Sequence, residues 1–188
     1  MMGVSDLLAV WNECQNVKPA WFIQQGVPPL ALAGDPKPYS GLAVAVGNIS
    51  MVGPHRFEFQ SLLRGVDTFK RALIIPARDE FGSLVDLVAW IPGCDLASWS
   101  GRVCLLGEQW ACAPSLGEPL RVFPSALEWL RAGRRGVVVI EPREAAILLV
   151  GVPNGLLVDD PAFGFELRRM MTIAPRIVIR SNAMGRAA

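Results

Sequence analysis

The chain has 188 residues, of which 52% are hydrophobic and 19% charged, and its formal net charge is +1. That composition excludes a disordered chain and suffices for one sizeable core, carried by one domain or by two small lobes. No apolar run approaches the roughly 18 residues that a membrane span needs, so no membrane partner is expected.

Residues 5–16 read as a short helix capped by Ser5, with Leu7, Leu8, Trp11 and Cys14 as its apolar stripe. Asp6 and Glu13 stand where a signal peptide would carry basic residues, which predicts a cytoplasmic protein. "AWFIQQG" reads as a second helix ending at Gly26, and the proline-rich stretch 27–41 as a connecting loop. "GLAVAVGNISMVGPHRFEFQ" then reads as strand, turn, strand, with Phe57 and Phe59 on one face and His55 on a surface turn. Residues 69–93 predict a hairpin that turns at "RDEFG" and returns over Ser83–Ile91, with a wet face near Asp86. "RVCLLGEQWACAP" predicts a further strand pair turning at Gly107. Residues 42–114 together predict a mostly antiparallel sheet.

From residue 120 the pattern changes. "LRVF" reads as a strand, and "PSALEWLRAG" as a helix with Ser125 and Glu128 in a capping box and Gly133 at its end. "GVVVI" is β-branched without alternation, as a strand buried on both faces would be. "PREAAILLVG" and "PAFGFELRRMM" are helices opened by proline; "GLLV" reads as another buried strand and "RIVIR" (176–180) as a last one. Strands alternating with helices predict a parallel sheet with right-handed crossovers. The fold class is therefore α+β: an antiparallel β-rich lobe with a helical start over 1–118, then a small parallel α/β lobe over 119–188.

Charge is unevenly placed. Residues 1–130 hold nine basic and 12 acidic side chains, whereas 131–188 hold nine basic and five acidic ones. The basic side chains of that last third are all arginines, whose fork of donors suits phosphate. Arg134, Arg135, Arg168, Arg169, Arg176 and Arg180 are candidate contacts to DNA or RNA; helix ends and turns are the structural alternative. Among the six tryptophans, Trp99 in the polar run "ASWSG" is the candidate for base stacking. The four cysteines form no C-x-x-C pair, so reduced thiols are expected rather than a zinc site.

In parallel sheets ligands bind at the carboxyl ends of the strands. Glu141 ends one strand, and Asp159 and Asp160 end the next. Three carboxylates on one edge are tolerable if a cation such as Mg²⁺ lies between them. Helix capping is the competing role, because Glu141 and Asp160 each precede a proline that starts a helix, and Glu144 lies in a first turn.

Three stretches in order resemble the core of phage- and plasmid-type DNA primases that carry a TOPRIM domain. "WFIQQGVPPLAL" (21–32) is similar to the segment preceding the polymerase core, with Gln25 at the usual arginine; "LIIPARDEFGSLVDLVAW" (73–90) is similar to the family's proline-x-arginine-aspartate-x-x-glycine hairpin. "VVVIEPREAAILL" (137–149) resembles the first TOPRIM strand and helix, with Pro142 at the family's glycine. The resemblance implies a TOPRIM-like, Rossmann-like α/β unit, with Glu141 matching the catalytic glutamate, Glu144 the helix acid, and Asp159 and Asp160 the metal aspartates. The departures imply a reduced, degenerate relative of a type carried in prophage regions. The expectation is a non-catalytic, nucleic-acid-associated protein that needs no cofactor. The alternatives are an Mg²⁺-dependent nucleotidyl-transfer or nuclease enzyme using Glu141, Asp159 and Asp160, and an adaptor with a protein partner or a homo-oligomeric state.

Overall fold

The computed structural model describes residues 4–33, 43–60, 69–79, 81–112 and 117–171. The first helix, α1 (Val4–Glu13), is followed by the short strand β1 (Gln15–Asn16), by α2 (Pro19–Gln24) and by α3 (Pro29–Leu32). α2 and α3 both begin on proline, where the missing N–H is no loss. The expected loop over 27–41 thus holds a helical turn that buries Ala31 and Leu32, which its prolines concealed.

Five strands follow: β2 (Ala45–Gly53), β3 (Arg56–Phe59), β4 (Lys70–Arg78), β5 (Leu84–Trp90) and β6 (Ala97–Ser98). β2 pairs antiparallel with both β3 and β4, β4 with β5, and β5 with β6; β6 returns to β3 in parallel. The expected mostly antiparallel sheet is closed into a five-stranded barrel, with β1 added alongside β2. Closure crowds the inner face. A Cβ on Gly47 would stand 3.0 Å from Ile74 Cγ1 and 3.1 Å from Phe59 Cε1, so glycine is what fits there. Phe57, Phe59 and Trp99 stack edge to face inside, with successive centroids 5.1 Å apart. Leu7 and Val10 of α1, three residues apart on one helix face, complete that core.

Asp86 corrects the expected wet face of β5, because it is 0% exposed. Its Oδ1 accepts from the backbone N–H of Leu87 and of Ser100, both at 2.8 Å, and its Oδ2 from that of Arg102 at 3.0 Å. The β4–β5 register shifts at this point, as a bulge does. A buried carboxylate needs such partners, and these pin the segment that leaves the barrel.

The second sheet takes β7 (Leu105–Leu106), β8 (Leu120–Phe123), β9 (Val137–Val139) and β10 (Leu156–Leu157), in the order β10-β8-β9-β7. β10, β8 and β9 are parallel, and β7 runs antiparallel to β9. Gly107 does not turn a strand pair as expected; β7 leads into α4 (Gln109–Cys112) and joins the second sheet. α5 (Ala126–Arg131) links β8 to β9, α6 (Pro142–Val150) links β9 to β10, and α7 (Pro161–Met171) follows. Ser125 Oγ caps α5 by accepting from Glu128 N at 3.3 Å; the Glu128 carboxylate turns instead to Arg131, at 2.7 Å. β10 is the sheet's last strand and Leu157 is 41% exposed, which corrects the expected buried strand over 155–158. The expected strand over 176–180 lies outside the described residues.

One face of the second sheet packs on the barrel. Val138, Ile140 and Phe123 share a core with Trp129 and Leu130 of α5 and with Ile75, Val88 and Trp90 of the barrel. The other face, with Leu105, Val122 and Val137, is covered by Ala145 and Leu149 of α6 and Leu167 of α7. The molecule is thus mixed α+β with its β-rich part first. Among the described residues no helix is long and apolar enough to cross a membrane.

Candidate functional site

β8, β9 and β10 each run into a helix, so their carboxyl ends and the starts of α5, α6 and α7 define one edge of the sheet. A cleft of about 570 Å³ opens there, between the sheet and the barrel. Phe123, Val138 and Ile140 line it from the sheet, His55, Trp90, Cys94 and Asp95 from the barrel, and Asp160, Phe163, Glu166 and Met170 from one side of α7. His55 is half-buried rather than a surface turn residue, and its Nδ1 is enclosed without a hydrogen-bond partner.

The acidic candidates are engaged singly. Glu141 Oε1 accepts from Arg143 N at 3.2 Å, and Asp160 Oδ1 from Ala162 N at 2.9 Å, each in the first turn of its own helix. Asp159 pairs with the guanidinium of Arg121. Glu144 is exposed in the first turn of α6. Among the described residues no group of three or more histidine, cysteine or acidic side chains comes together that could hold a metal ion.

Glu144 acts on a neighbour. Its charge and that of Glu108 add to burial, the larger cause, in pushing the Cys104 thiol from 9.0 up to about 12. Burial likewise pushes Cys14 up to about 11, with a smaller contribution from Glu13. Both thiols are held protonated and unreactive at neutral pH.

Trp99 is a core side chain, 2% exposed, with its Nε1–H donating to Glu58 Oε2 at 2.8 Å. No face of it is open to a base, so its polar neighbours misreported its position. Arg134 and Arg135 occupy the turn between α5 and β9, and Arg168 and Arg169 are exposed on α7. Arg176 and Arg180 lie outside the described residues.

The opposite edge of the sheet, at the amino ends of β8 and β9, carries a groove of about 570 Å³. Half-buried Trp110 lines it together with Arg121, Arg135 and Glu118. The indole is fixed, since its Nε1–H donates to the Arg134 carbonyl at 2.9 Å. Arg134 is itself held at φ +63°, a conformation rare outside glycine that this bond helps to maintain. Arg121 also lies over the Phe123 ring, 5.3 Å from its centroid. Neither Trp110 nor Arg121 stood out in the sequence; their proximity depends on β7 reaching across to β9.

No protein-family model matches this chain, and neither a curated protein nor a solved structure matches it.

Proposed function

We propose that the protein is a non-catalytic, nucleic-acid-associated module with a TOPRIM-like α/β unit, serving a mobile-element or prophage setting. The observation that carries this reading is the amino-edge groove, which a fixed indole lines together with Arg121 and Arg135. Aromatic faces stack on bases and arginines meet phosphates, with little dependence on sequence. The capping roles of Glu141 and Asp160 support the non-catalytic part, because both carboxylates already serve their own helices.

Fluorescence anisotropy with labelled single- and double-stranded DNA at low salt tests the reading. Micromolar binding that weakens steeply with salt is expected. The Arg121→Ala/Arg135→Ala double variant should bind about tenfold more weakly, with a log–log salt slope shallower by about 1.5. No binding of either DNA at tens of micromolar protein would overturn it, as would an unchanged slope in the double variant.

A further inference from the structure

We propose that the chain's own segment 176–180, "RIVIR", adds to the free edge of β10 and fills the groove beside α7. β10 is the outermost strand of the second sheet, so one of its edges meets no strand among the described residues. Such an edge is a template for a further strand. Beside it lies a groove of about 700 Å³, lined by Leu156 and Val158 and by Pro161, Phe165, Leu167 and Met171 of α7. Arg168 is the one charged side chain in that lining, and Phe165 is 72% exposed.

The path of the chain selects the occupant. From β8 to β9 it moves one way across the sheet, with α5 on the barrel face; from β9 to β10 it moves the other way, with α6 on the opposite face. Opposite directions on opposite faces make one hand, as crossovers between parallel strands nearly always do. α7 packs on the same face as α6, through Leu167. A third crossover of that hand therefore continues outward past β10, onto its free edge. The described chain ends at Met171, within the groove lining, and residues 172–175 alone separate it from Arg176. Four residues are an ordinary length for a helix-to-strand connection. The composition of the segment agrees. Ile177, Val178 and Ile179 are all β-branched, and alternate residues of a strand share a face. The two isoleucines then lie in the groove with Leu156 and Val158, and Val178 lies beside Leu157 on the other face. Only the chain's own continuation starts within the groove, which favours it over the edge of a second copy.

Hydrogen exchange of the full chain, read by mass spectrometry, tests this without any nucleic acid, so its outcome is separate from that of the proposed function. The amides of residues 177–180 should exchange at least about tenfold more slowly than in a synthetic peptide of residues 172–182, and equally so in dilute and concentrated protein. Ile177→Asp/Ile179→Asp in the full chain should lower the melting temperature by about 5 °C or more and speed exchange at residues 156–158. Met184→Asp, beyond the segment, should change neither. The exchange measurement on the unaltered chain stands whether or not the double variant folds. Exchange of 177–180 at the free-peptide rate would overturn the proposal. So would protection that appears only where sedimentation detects a dimer, since the occupant is then a second copy. A folded double variant with unchanged melting temperature and unchanged exchange would overturn it as well.

Discussion

Carboxylates meet opposite circumstances in the two halves of the molecule. In the barrel, Asp86 lies within a strand, is fully buried, and accepts from three backbone amides. In the α/β unit, Glu141, Asp159 and Asp160 stand where strands end, and each engages one neighbour: a first-turn amide or an arginine. A strand end is the position that sequence patterns associate with chemistry, and a strand interior the one they associate with packing. Here the interior carboxylate organises the fold, and the terminal ones do local service at the surface. What separates them is desolvation, which makes every missing partner of Asp86 expensive and leaves water as a substitute for the others.

The largest effect expected from this difference is at Asp86. Asp86→Ala should lose about 3 kcal/mol or more in urea unfolding, because three amides lose a charged acceptor in a dry site. Asp86→Asn, which turns one acceptor into a donor, should lose less. A loss below about 1 kcal/mol for the alanine variant would place Asp86 in the same class as the surface carboxylates and remove the contrast.

The contrast also marks where the sequence was readable. α5 with its Ser125 cap, β9, and the proline-led α6 and α7 were legible, because each is set by local spacing and termini. Barrel closure was not, since it depends on the distant β2–β4 pairing and on β6, which is two residues long. The burial of Asp86 was hidden for the same reason: two of its donors lie 14 and 16 residues further along the chain. Trp99 shows the limit of neighbour polarity as a guide. It sits among serines and glycine, yet closes an aromatic stack inside the barrel. The acidic candidates were correctly placed at strand ends by pattern, but whether they converge depends on side-chain direction, which spacing does not encode.

Two thiols, half-buried Cys14 and buried Cys104, sharpen the comparison through pH, one in each half. Cys14 packs against the barrel core and Cys104 lies in the core beneath α6. Both have folded-state values above the unfolded 9.0, at about 11 and about 12. The folded protein therefore keeps protons that the unfolded chain releases. Their contribution to stability is complete below pH 9 and is lost as pH rises from 9 through 11 for Cys14 and through 12 for Cys104. Melting temperatures measured from pH 8 upward should fall in the wild type and fall less steeply in Cys104→Ala, and to a smaller degree in Cys14→Ala. An identical alkaline slope in both variants would mean that neither thiol resists ionisation in the fold.

The smallest effects are expected at the terminal carboxylates, and they decide whether these groups serve only the fold. Asp160→Ala removes a 2.9 Å cap and should cost about 1 kcal/mol. Glu141→Ala removes a longer bond, at 3.2 Å, made by a residue type less suited to capping, and should cost about 0.5 kcal/mol. Asp159→Asn breaks an ion pair whose side chains are 46% and 67% exposed, and should stay within about 0.5 kcal/mol. Because Glu141 and Asp160 serve different helices, their losses should add in the double variant. Thermal melts with and without Mg²⁺ or Mn²⁺ complete the test. If each carboxylate serves only its own neighbour, the metals leave the melting temperature unchanged in all five proteins. A metal-dependent rise in the wild type that Glu141→Ala abolishes would show the strand-end acids acting as one group, with the caps only their resting arrangement.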